Sequence, residues 1–236
     1  MASVDFVRNK VEWAERHRQC LNAEVQRYFS RSVPQMMVEM VPGFLGFDVT
    51  GVSGPNIPLE IPLIIGDCLQ NLRSALDYLV WELCGAANFQ PTDKNQFPVC
   101  DTLGAFQNAK RRRALDGVPI SAQTEIESLQ PFKSGAAYLS TELWILNRLT
   151  NISKHRRILV TDLGAVLTET ATGAVIDRHS QVNHPFKGEM ELDNDPVALI
   201  RCGETEGAGE EVGALLHRLS DYITIQVIPR FETFFP

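Results

Sequence analysis

The sequence predicts an α+β fold, a bundle of long helices packed with an antiparallel β-sheet. Two patterns predict it. Apolar residues recur at three- and four-residue intervals over several long stretches, as amphipathic helices require. Short runs of β-forming residues, broken by turn signals, fill about 35–61 and 158–202. The 236 residues show no internal repeat and no linker-like stretch. One domain over 1–236 is therefore expected, with a helical core at about 62–157, the two strand-rich segments around it, and a C-terminal helix at about 211–231.

The first helix is expected over about 5–31. That stretch lacks Gly and Pro, and Phe6, Val7, Val11, Ala14, Leu21, Val25 and Phe29 recur near helical spacing. Met36–Val41 and Leu45–Val52 read as a hairpin around Pro42-Gly43. Pro62 is placed to open a second helix, carried by the stripe Ile65, Leu69, Leu72, Leu76, Leu79 and Leu83 and closed by Gly85. Short helices follow from about 103 to 112 and from Ser121, read as a cap, to about 129. A third long helix is expected from about 136 to 156, with Leu139, Leu143, Leu146 and Leu149 on its apolar side. β-Rich runs then succeed one another up to Arg201. Val212, Leu215, Leu216, Leu219, Ile223 and Val227 predict the last helix, against a β-branched run at 222–228.

Composition excludes several classes. Hydrophobic residues make up 44% and charged residues 22%, the balance of a globular chain rather than a disordered or collagen-like one. No apolar run reaches the roughly 18–20 residues of a membrane helix, so no membrane partner is expected. The opening Met1-Ala2-Ser3-Val4-Asp5 has neither the basic start nor the apolar stretch of a signal peptide, which predicts a cytoplasmic location. The net charge of -7 argues against a surface that coats duplex nucleic acid. Local basic clusters at Lys110–Arg113 and Lys154–Arg157 still allow an anion site, and the stretch 189–211 is strongly acidic. The five cysteines are widely spaced and form no C-x-x-C. No disulfide framework, metal site or cofactor is expected, and Cys20, Cys68 and Cys84 read as small buried hydrophobes. His179 and His184 lie near Asp177, Asp193 and Asp195 without tight ligand spacing.

Two helix segments carry unusual polar residues. Opposite the leucine stripe of the second helix lie Asp67, Gln70, Asn71, Arg73, Ser74 and Asp77, a set poor in Lys and Glu. Asp67 and Asn71, and likewise Arg73 and Asp77, are one turn apart. In the third helix, Trp144, Arg148, Asn151 and His155 follow 4-3-4 spacing and share one face. Arg offers a donor fork for phosphate, and His exchanges a proton near neutral pH. The expected function is binding of an anionic ligand, a nucleotide or RNA, in a polar cleft between these two helices. Asp67, Asn71, Arg73, Asp77, Lys154 and Arg156 are the candidate ligand-binding residues. Arg148, Asn151 and His155 are the candidate catalytic residues should RNA be cleaved without metal. Two plainer readings stand beside this one. The second-helix residues also fit a structural polar network, and Lys154, His155 and Arg156 also suit a helix C-terminus, where cations are favoured.

Gly66-Asp67, Asn71–Asp77, Phe97-Pro98, Gln130-Pro131, Asn151 and Lys154-His155-Arg156 together resemble an uncharacterised bacterial family. That family carries a G-D-x-x-x-N-L-R-S-A-L-D helix and an N-x-x-K-H-R helix end. The resemblance covers most of 62–160 and implies no particular activity. Arg148 and His155, with six residues between them, also resemble the Arg/His motif of HEPN-like helical RNases and nucleotide-binding domains. Leu149 stands where that motif has a polar residue. This second resemblance implies a metal-independent RNase and a homodimer that brings two His155 side chains into one cleft. A structural or assembly protein without a ligand is the third alternative.

Overall fold

A 27-residue stretch free of Gly and Pro folds as helix α1 (Asp5–Arg31). The structure, a computed structural model, describes residues 2–31, 35–40, 47–53, 56–155, 161–168, 175–177, 197–202 and 210–235. Val7, Val11, Ala14, Leu21 and Tyr28 form the buried stripe of α1, whereas Phe6, expected within it, is 54% exposed. Helix α2 (Glu60–Ala86) runs antiparallel to α1: the Ser3 amide donates to Glu82 Oε2 at 2.9 Å, and Cys68 Sγ donates to the Ala14 carbonyl at 3.5 Å.

Both ends of α2 differ from expectation. The helix starts two residues before Pro62, which therefore occupies the third helical position, where a missing N–H still costs nothing. It also runs through Gly85. The left-handed residue that closes it is Asn88, at φ 56°. The Asn88 amide donates to the Gly85 carbonyl (3.0 Å) and the Phe89 amide to the Cys84 carbonyl (2.9 Å). This is a Schellman closure with Asn in the role more often taken by Gly.

Helices α3 (Leu103–Arg111) and α4 (Ile120–Ser128) follow, α3 capped by Thr102 Oγ1 accepting from the Ala105 amide at 3.2 Å. Pro119, not Ser121, stands at the N-cap of α4, and Ser121 lies inside the helix. The expected continuous helix from about 136 is broken. Pro131–Ser140 is 3₁₀-helical, with Gly135 at φ 56° and ψ -127°, and Thr141 is extended before α5 (Glu142–His155) begins. Leu139 consequently falls off the apolar side and is 52% exposed.

The Glu211 carboxylate caps α6 (Val212–Asp221), accepting from the Gly213 (2.7 Å) and Ala214 (2.5 Å) amides. The last helix does not continue regularly to 231. Tyr222–Val227 is π-helical and Ile228–Arg230 is 3₁₀. Pro229 lacks an N–H and its ring crowds the carbonyl four residues back, so α geometry ends before it.

α1, α2, α5 and α6 enclose the core. Among the described side chains, every buried one comes from a helix or a connecting loop, and 76% of this body is helical. The expected α+β class is overturned: the body is all-α. The reason is that α2 is covered from several sides. α1 packs along it, α5 crosses at Leu69 and Thr150, and α6 packs against α1, α2 and α5. Helices occupy the layer assigned to a sheet. The strand segments β1 (Gln35–Met40) and β2 (Phe47–Ser53) pair antiparallel, as do β3 (Thr161–Thr168) with β4 (Val175–Asp177) and β5 (Val197–Cys202).

Candidate functional site

The polar residues of α2 are mostly engaged in holding the chain together. Arg73 and Asp77, one turn apart, pair at 2.7 Å. Arg73 Nη2 also donates to the Phe97 carbonyl (2.8 Å), and Asp77 Oδ1 accepts from the Phe97 amide (2.9 Å). Both polar groups of one loop residue are thus satisfied by a single ion pair whose arginine is only 11% exposed. The next residue, Pro98, accepts at 2.9 Å from Gln130, which is 1% exposed. Gln130 also donates to the Ile126 carbonyl (3.0 Å) and accepts from the Cys100 amide (3.0 Å). Arg73, Asp77, Phe97, Pro98 and Gln130 therefore form one hydrogen-bonded chain that pins the 97–100 loop between α2 and α4.

Asn71 faces α1 instead. Its Nδ2 donates to the Asp67 carbonyl (2.8 Å), and its Oδ1 accepts from Lys10 Nζ (3.3 Å), which also lies over the Tyr78 ring. The Asp67 side chain is exposed at the start of α2.

The 4-3-4 set of α5 does share one side of the helix, and that side faces away from the core. Arg148, Asn151 and His155 are exposed, as is the neighbouring Lys154; Trp144 is half-buried, edge-on to Tyr138 at 5.1 Å between centroids. The indole Nε1 of Trp144 is buried and has no hydrogen-bond partner among the described residues. The opposite side of α5 carries Leu143, Ile145, Leu146, Leu149, Thr150 and Ile152 into the core. Arg156 lies outside the described residues.

The two polar faces are not brought together. α2 and α5 meet antiparallel through closely fitted small groups. Thr150 Oγ1 donates to the carbonyls of Leu146 (2.7 Å) and Leu69 (3.4 Å), and a Cβ on Gly66 would sit 2.8 Å from Ser153 Oγ. The expected cleft between the helices is closed by this contact. Among the described residues, the exposed side chains of Arg148, Asn151, Lys154 and His155 lie on this outer side of α5, with Asp67 at the same end of the bundle.

Sequence reasoning assigns no role to the buried polar anchors, although Gln130 stands within the family resemblance. Gln130 is one. Asn95 is another: its Oδ1 accepts from the Thr92 amide (2.8 Å), while its Nδ2 donates to the Asp116 carbonyl (2.8 Å). No periodicity marks loop residues, although Gln130 and Phe97 each precede a proline. The acidic residues Glu210 and Glu211 also have structural uses, as partner of Arg218 (2.8 Å) and as helix cap. Cys20 is exposed rather than buried. Burial pushes the Cys68 thiol up to about 12 and the Cys84 and Cys100 thiols up to about 11, so all three stay protonated and unreactive at neutral pH. His179, His184, Asp193 and Asp195 lie outside the described residues. Among the described residues no helix is long and apolar enough to cross a membrane. Compared with protein-family models, curated proteins and solved structures, the chain matches none.

Proposed function

We propose that the chain binds a phosphate-bearing ligand, RNA in the first place, on the outer face of α5 through Arg148, Asn151, Lys154 and His155. The observation that carries this reading is that Asn151, Lys154 and His155 make no hydrogen bond or ion pair among the described residues, in a protein whose other unusual polar segment is tied into the scaffold. Arg supplies a planar donor fork, Lys a mobile charge, and Asn and His hydrogen bonds to sugar or base. An open face favours a single strand over a free nucleotide, because a nucleotide pocket encloses about 70–90% of its ligand. The net charge of -7 fits a local track rather than a coating surface.

The test is fluorescence anisotropy with a labelled single-stranded RNA against the parent and Arg148→Ala/Lys154→Ala. Parent binding that weakens at least about tenfold in the double variant, with a shallower salt dependence, supports the reading. Equal binding by both, or none by the parent, ends it.

The exposed imidazole of His155 favours a second reading, metal-independent RNA cleavage. Arg148 and His155 are seven residues apart, about 10 Å along the helix. Arg148 would then hold one phosphate while His155 moves a proton at the next, or two copies of α5 would face each other in a homodimer. Cleavage in EDTA by the parent and not by His155→Ala selects this reading. The sedimentation coefficient with and without RNA decides the dimer.

A further inference from the structure

α1 and α2 together turn an aromatic face outward. On α1, Phe6, Lys10, Trp13 and His17 follow 4-3-4 spacing and share one side. On α2, Asp67, Asn71, Ser74 and Tyr78 do the same, with Leu63 and Trp81 one turn beyond the two ends. The two stripes run side by side: Lys10 Nζ donates to Asn71 Oδ1 and lies 5.3 Å from the centre of the Tyr78 ring. Phe6, Trp13, Leu63, Tyr78 and Trp81 are between 41% and 54% exposed. Single exposed apolar residues are ordinary, but five on one face mark a surface that is covered by something.

The charges of this face match the face itself. The bonds from Ser3 to Glu82 and from Cys68 to Ala14 fix the antiparallel register. Phe6 then lies about level with Tyr78, Trp13 with Asn71, and His17 with Asp67. Lys10 and Asp67 thus stand roughly 5 Å to either side of Trp13 along the helices. Neither has an ion-pair partner among the described residues. A twofold axis that crosses the two helices at Trp13, in the plane of contact, brings Lys10 of each copy to Asp67 of the other. The same axis lays the Phe6–Tyr78 end of one copy on Leu63 of the other. A twofold contact needs such self-complementarity.

Area and ring chemistry agree. Leu63 and Trp81 are about 27 Å apart along α2, and two helices are about 20 Å wide. Two copies would remove roughly 1,100 Å² from water, just above the approximately 1,000 Å² of a specific contact. Lys10 already lies over the Tyr78 ring and Arg16 over the Trp13 ring, which leaves those rings poorly placed to stack on nucleobases. We propose that the α1/α2 face binds a second copy of this chain, with Trp13 at the twofold axis. α5 meets α2 through Gly66 and Leu69, on a different side, so this dimer is independent of RNA binding at α5.

Sedimentation equilibrium of the full chain without RNA tests it. The parent should reach twice 26.4 kDa, and Trp13→Glu should stay at 26.4 kDa with its helical circular dichroism unchanged. Lys10→Glu and Asp67→Lys should each raise the dimer dissociation constant at least about tenfold, because each places two like-charged pairs across the axis. An equimolar mixture of these two variants should dimerise like the parent, since both pairs are then opposite in sign. No contact within one copy gives that rescue. Arg148→Ala/Lys154→Ala should remain dimeric, so that a failure of RNA binding and a failure of this contact are read separately. A parent that is monomeric at about 100 μM, weaker than interfaces of standard size, overturns the proposal. So does a dimer that survives Trp13→Glu, or a mixture that stays as monomeric as its components.

Discussion

α2 and α5 carry polar segments that look equally purposeful in the sequence, yet the structure uses them in opposite ways. Arg73 and Asp77 of α2 turn toward a loop and satisfy both polar groups of Phe97. Arg148, Asn151 and His155 of α5 turn away from the core. The difference lies in what runs past each helix. The 88–101 loop passes over α2 and brings a backbone that needs partners, because a buried N–H or C=O left unpaired costs about 1–3 kcal/mol. Asn151, Lys154 and His155 of α5 have no such backbone partner among the described residues. Polar composition alone therefore does not separate scaffold from site; the path of the neighbouring chain does.

The sharpest way to break this contrast is at Gln130. Gln130→Ala would strip partners from the Cys100 amide and the Pro98 and Ile126 carbonyls at a fully buried position. The expected cost is about 3 kcal/mol, read from urea unfolding. A loss below about 1 kcal/mol would mean that the loop is not held by this chain of bonds. Asp77→Ala should cost somewhat less, about 2 kcal/mol, because its carboxylate is 39% exposed and water can replace part of what is lost. Native-state hydrogen exchange should report the Phe97 amide opening in that variant.

Gly66 tests whether the seam between the helices is truly closed. Alanine there raises helix propensity by up to about 1 kcal/mol, yet its Cβ would meet Ser153 Oγ at 2.8 Å. Gly66→Ala should destabilise the parent by about 1 kcal/mol and stabilise a Ser153→Ala background, a coupling visible in a double-mutant cycle. Additive effects would mean that the two positions do not touch, and the open cleft expected between the helices would return.

Much of the fold was legible because helical periodicity is long and redundant. Eleven buried residues mark α2, and losing one or two does not hide the stripe. The misread points are those where one residue decides. Gly85 looked like the end of α2, but Asn88 adopts the left-handed turn. Gly135 and Thr141 break what leucine spacing presents as one helix. The all-α body was not legible for a different reason: amphipathic stripes say that a face is covered, not whether helix or sheet covers it. Of the candidate site, the shared face of Arg148, Asn151 and His155 followed from spacing alone. That this face points outward, and that α2 points elsewhere, depends on tertiary packing, which no local pattern encodes.

The smallest expected effect is also the most diagnostic. Asn151→Ala, Lys154→Ala and His155→Ala should each change stability by no more than about 0.5 kcal/mol, as for exposed residues without partners. Lys154 and His155 do sit in the last turn of α5, where a cation is favoured by the helix dipole, and that term lies within the same small range at an exposed end. If either substitution instead costs as much as Asp77→Ala, then the α5 face is scaffold, like that of α2. If stability is untouched while RNA affinity falls, the two helices are separated by function as well as by packing. Measuring urea midpoints and RNA anisotropy on the same preparations places each residue on one side or the other, because no residue of the α2 clamp should lower RNA affinity without first lowering the midpoint.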